Sequence, residues 1–197
     1  MTASSVEFFF DVGSPASYLA WARLPAICRR ARASLIYRPM LLGGVFQATG
    51  NSSPVTVAAK GRYVMLDLQR HAQRDGVTLN PNPHFPINTL VLMRATAGVQ
   101  LRLPERFPAF VDSLFAAIWI DGVNLNDAVV TAQVLTAAGF DPAQVMALAA
   151  DAEVKAALRA TTTEAIARGA FGAPTMFVGE QMFFGQDRLE WVSAALG

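Results

Sequence analysis

Strand-forming sequence is confined to the two ends of this chain, which leaves few folds open. Near the amino end, Val6–Asp11 (VEFFFD) is a β-branched and aromatic run. Ser14-Pro15 then opens a helical segment to about Arg32, with proline at the first helical position, where its missing N–H is harmless. Leu35–Met40 (LIYRPM) is a second strand. Two strands joined by a helix favour parallel pairing through a right-handed crossover. Near the carboxyl end, Ala173-Pro174 leads into a strand over Thr175–Val178. A Gly179-Glu180 turn follows, then Met182–Phe184, then a helix from Gln186 or Asp187 to Leu196. So short a link between strands predicts a β-hairpin.

Between these ends the signals are helical. Residues 41–53 (LLGGVFQATGNSS) read as a Gly-rich connection, and Ala58–Arg74 carries apolar Val64, Leu68 and Ala72 at fourfold spacing. PNPHFPIN (81–88) is a proline-braked loop from which Asn88 can cap a helix to about Ala97. Pro104–Ile120 is another helix, Asn126 caps one that Gly139 ends, and Asp141-Pro142-Ala143-Gln144 starts a further one. Alanine-rich Asp151–Arg168 completes the block. The chain reads as α/β: one sheet domain whose halves are separated by a large all-helical insertion.

Composition narrows the class. Apolar residues make up 53% of the 197 and charged residues 16%, which argues against intrinsic disorder. Sixteen Lys+Arg against 15 Asp+Glu, with no basic block, predict neither a nucleic-acid partner nor a polybasic membrane surface. The one cysteine, Cys28, excludes an intramolecular disulfide, a CxxC redox pair and a cysteine-based zinc site, and no metal is expected. Glu7 and Asp11 come too early for a signal peptide, and no apolar run approaches the 18 or so residues of a membrane span. A soluble, cytoplasmic protein is the expectation.

Three places could carry chemistry. Ser14 directly follows the first strand, at the amino end of the first helix, where N–H groups and the helix dipole stabilise an anion or thiolate. Ser-Pro is equally an ordinary helix cap, with Ser17 a first-turn residue whose hydroxyl meets backbone or solvent. Pro174 stands before a strand, where a cis bond would turn the Ala173 backbone outward to pair with an extended ligand; a trans proline is the commoner form. In Phe184-Gly185-Gln186-Asp187-Arg188 a strand ends, a glycine turns and a helix begins. Asp187 could hold an ammonium group there, or serve a capping box with Glu190. Cys28 reads as a packed side chain, and His71 and His84 as surface or loop histidines.

The motifs FFFDVGSPASYLA, LLGGVFQATGN, RYVMLDLQRHA, NPHFPINTL and FGAPTMFVGEQMFFGQDRLEWV, spread over essentially the whole chain, resemble the 2-hydroxychromene-2-carboxylate isomerases. That family is close to kappa-class glutathione transferases and to the DsbA-like branch of thioredoxin folds. The resemblance implies a thioredoxin-like domain built from 1–40 and 152–197, an inserted helical domain over 41–151, a homodimer, and glutathione in the cleft between the domains. It places Ser14 where oxidoreductase relatives keep the first cysteine of CxxC, as a stabiliser of the glutathione thiolate. It implies that Ala173 before cis-Pro174 pairs with the cysteinyl backbone and that Phe184, Gly185, Gln186 and Asp187 hold the γ-glutamyl end. Asn51 and Phe85 become contacts for a small aromatic substrate. The sequence departs from the family in having no lysine near Phe46-Gln47 and in having Phe85 where some members carry an aromatic hydroxyl. The activity implied is isomerisation of an aromatic 2-oxo acid by reversible conjugate addition of glutathione. A kappa-like transferase for other electrophiles and a redox-inactive thioredoxin-fold binding module are the alternatives.

Overall fold

The computed structural model describes residues 4–197. The chain runs β1 (Ser5–Phe10), α1 (Pro15–Ala31), β2 (Ser34–Pro39), α2 (Leu42–Thr49), α3 (Ala58–Asp75) and α4 (Leu90–Arg102). It continues through α5 (Phe107–Trp119), α6 (Ala128–Ala137), α7 (Pro142–Ala150), α8 (Ala152–Ala167), β3 (Thr175–Val178), β4 (Gln181–Phe184) and α9 (Leu189–Leu196). The strands form one sheet in the order β2-β1-β3-β4. β1 and β2 are parallel, with Val6 opposite Leu35, and β3 is antiparallel to both β1 and β4. This is the DsbA-like thioredoxin fold.

Alternation along β1 feeds two cores. Val6, Phe8 and Phe10 face one side, where the Phe8 and Phe10 rings stack at 5.1 Å and Trp21 of α1 packs on both. Phe9 points to the other side, against Val45 of α2, Ala165 of α8 and Phe177 of β3. The sheet is thus covered on both faces, which accounts for the unbroken apolar run Phe8–Phe10 in β1.

Several local expectations are corrected. The glycine-rich stretch after Met40 is not a plain connection but holds α2. Gly43 and Gly44 disfavour a helix, yet Val45 is fully buried and the Leu42 N–H is held by the Asp11 carboxylate at 2.8 Å, so tertiary contacts override propensity. The α4 helix extends to Arg102 with Thr89 at its cap position, while Asn88 only accepts from the Leu90 N–H. Asp127 caps α6 in place of Asn126, whose side chain instead braces Asn88 and Pro86. Ser17 is fully buried and its hydroxyl meets neither backbone nor solvent. Asp187 caps no helix; its carboxylate pairs with Arg188 at 2.7 Å.

Candidate active site

The loop from β1 to α1 is tied down on every side. Ser14 N–H donates to the Asp11 carbonyl at 3.0 Å, and the indole N–H of buried Trp119 in α5 donates to the Val12 carbonyl at 2.9 Å. Gly13 is required here, because a Cβ would stand 2.7 Å from the Thr89 methyl. Ser14 is the helix cap that local pattern predicts: its oxygen accepts from the Ser17 N–H at 3.1 Å. It does a second thing that no local pattern shows. Its hydroxyl donates to the Ala173 carbonyl at 2.9 Å, and the Ala173-Pro174 bond is cis. A second cis bond, Phe85-Pro86, lies in the 81–88 loop.

Ser14, Asn51, Phe85, Ala173, Phe184, Gly185, Gln186 and Asp187 line one cavity of about 460 Å³. Pro174 is buried outside the lining, behind Ala173. The Asn51 amide is already engaged, donating to the Phe171 carbonyl at 2.7 Å and so bracing the loop after α2 against the one before β3. Phe171 packs against Phe184 with ring centroids 4.4 Å apart and the planes tilted by 46°, and a Cβ at Gly172 would come within 2.7 Å of the Phe184 ring. Gly185 turns with φ +95°, and a Cβ there would press the Asp187 carboxylate at 2.6 Å. Gln186 is 3% exposed, and its buried side-chain oxygen has no hydrogen-bond partner among the described residues. Its charged lining residues are both acids, Asp67 and Asp187.

The reading of motifs missed Phe171, Gly172 and, above all, Asp11. Asp11 is 1% exposed and accepts from Gly13 N–H, Leu42 N–H and the Thr89 hydroxyl at 2.9, 2.8 and 3.0 Å. Burial pushes its carboxyl up, against the downward pull of those three bonds. An aspartate directly after the apolar run Phe8–Phe10 was the available signal. Cys28 is buried in α1, and burial pushes its thiol up too, an environment that disfavours the thiolate. Among the described residues no three His, Cys, Asp or Glu cluster as metal ligands, and no helix is long and apolar enough to cross a membrane.

The arrangement suits a small, partly extended ligand with an anionic group at the α1 amino terminus and Ser14 hydroxyl and a cationic or donor group toward Asp187, against an aromatic wall. A family model described as a DSBA-like thioredoxin domain matches residues 5–197. The chain is 31% identical over 194 residues to the 2-hydroxychromene-2-carboxylate isomerase of Sphingobium xenophagum, covering 98% of this chain and 97% of that one. It is 29% identical over 204 residues to glutathione S-transferase kappa 1 of Rattus norvegicus, at 98% and 90% coverage. A solved 2-hydroxychromene-2-carboxylate isomerase structure superposes with a TM-score of 0.83 at 29% identity, covering 98% of this chain and 94% of that one.

Proposed function

The chain belongs to the 2-hydroxychromene-2-carboxylate isomerase family, with a DsbA-like thioredoxin domain, and on that premise we propose that it is a glutathione-dependent cis–trans isomerase of aromatic 2-oxo acids. The observation that carries this reading is the bond between the Ser14 hydroxyl and the Ala173 carbonyl, two groups that both border the cavity. Each now satisfies the other. On binding a cysteinyl backbone, Ala173 can accept from the ligand N–H while the Ser14 hydroxyl turns to the sulfur, so neither is left unpaired. The buried Gln186 oxygen and the Asp187 carboxylate then suit an ammonium group at the far end of the ligand.

Bound glutathione supplies a thiolate that can add to a conjugated enone and leave again. The work of Ser14 and the α1 amino terminus is to keep the sulfur anionic. A free thiol titrates near pH 8.5, and each unit of depression corresponds to about 1.4 kcal/mol of preferential interaction with the anion. A stabilised thiolate is also the better leaving group, which reversible addition needs and a strong base would not provide. Phe85 and the Phe171–Phe184 pair offer flat apolar walls for an aromatic acceptor.

Stoichiometry tests the reading. With an aromatic 2-oxo enone and glutathione far below it, both isomer ratio and free thiol are followed. Many turnovers with thiol unchanged at equilibrium is the expected outcome. Loss of one thiol per product would instead leave a transferase of the kappa kind. Calorimetric binding of glutathione without turnover of any electrophile would leave a binding module.

A further inference from the structure

Asp11 lies where three helices begin. Its Oδ1 accepts from the Gly13 N–H that leads into α1, and its Oδ2 accepts from the Leu42 N–H, which opens α2, and from the hydroxyl of Thr89, the cap residue of α4. A helix amino terminus carries roughly half a positive charge, so the partial charges of three converge on one buried carboxyl. Among the described residues no cation is bonded to it: its partners are two backbone N–H groups and one hydroxyl, and none of the three helices brings a titratable side chain into contact with it. The charged groups facing the neighbouring cavity are Asp67 on α3 and Asp187 beyond β4. The Asp11 carbonyl meanwhile holds the Ser14 N–H, so the carboxyl sits within one tight loop of the serine hydroxyl.

We propose that Asp11 is a positioning residue that sets the electrostatic field at Ser14: its negative charge consumes the positive potential of the converging helices, and its neutral form releases that potential to a thiolate at Ser14. The inference rests on Ser14 being the thiolate site. Carboxylate and thiolate compete for one set of dipoles in a region sheltered from water, where like charges repel more strongly than in solvent. Thiolate stability at the cleft is thereby coupled to a group that no ligand touches.

The test needs no glutathione. In a Ser14→Cys/Cys28→Ser protein the only thiol lies at the α1 amino terminus, and its titration is read by thiolate absorbance and by alkylation rate against pH. Adding Asp11→Asn removes the charge at nearly constant volume. Asp11→Ser also removes the charge, with a smaller side chain whose hydroxyl puts no amide donor against the helix termini. Either is expected to move the thiol midpoint down by about one unit, a tenfold gain in thiolate fraction below the midpoint. If the carboxylate merely braces the loop, losing it loosens the helix termini and the midpoint climbs toward about 8.5, the free value. An unchanged or raised midpoint in whichever variant keeps the native circular dichroism overturns the proposal. A downward shift here, together with no thiolate signal from glutathione added to the unmodified protein, would sink the glutathione reading and leave the role of Asp11 standing.

Discussion

The Ser14 hydroxyl and the Ala173 carbonyl, 159 residues apart in sequence, meet in a 2.9 Å hydrogen bond at the edge of the cleft. That bond joins the head of α1 to the loop before β3, and in the proposed reaction it is the contact a thiol ligand has to replace. On that proposal Ser14 serves both as a structural cap and as the donor to the sulfur.

Ser14→Ala should therefore separate the two roles. Loss of a preorganised donor to an anion lowers turnover by about 10- to 1,000-fold. Loss of the Ser17 cap bond costs about 1 kcal/mol of stability, and the Ala173 bond a similar amount. Steady-state kinetics beside denaturant melts would show it. Wild-type turnover in a folded Ser14→Ala protein would remove Ser14 from the site.

Gly172→Ala tests the aromatic wall. The added methyl would stand 2.7 Å from the Phe184 ring, which is 40% exposed and free to swing away from Phe171. The pair contributes about 0.5–1.5 kcal/mol, so KM for an aromatic acceptor should rise by up to about tenfold with the melting temperature little changed. Phe184→Ala should reproduce the effect. Equal KM values across the three proteins would mean that substrate does not use this wall.

Cys28→Ser should leave turnover intact and lower stability by about 1–3 kcal/mol, because it puts a hydroxyl into the apolar seat of a buried thiol. An inactive but fully folded Cys28→Ser protein would bring the thiol into the mechanism.

Asp75 provides a pH signature. Burial raises its carboxyl, but the Arg74 hydrogen bond at 2.9 Å and the Arg23 and Arg74 charges outweigh burial and hold it below the usual carboxylate range. A carboxyl depressed by folding stabilises the protein above its unfolded pKa and loses that contribution as pH falls through the folded one. The wild type should thus exceed Asp75→Asn in urea midpoint near pH 7, with the gap closing below about pH 4. A gap independent of pH would assign the effect to packing.

Local pattern determined a good part of this protein. The βαβ start, the ββα end, the helical stretch between them and the Ser14 cap are legible because each follows from neighbours within a few residues: period, capping oxygen, turn glycine. Motif order carried the resemblance to the family and nominated residues that the fold then gathers around one cavity. What tertiary structure alone decided are the terms that arise only when distant segments touch. A glycine-rich stretch became α2 because Val45 found Phe9 and Phe177 and Asp11 found its first N–H. Asn126 lost its cap to Asp127 because Asn88 and Pro86 lay within reach of its side chain. Asp11 itself, in sequence only the residue that ends a strand, became the buried carboxyl at three helix heads, since the field at a point is a sum over groups that no sequence window contains.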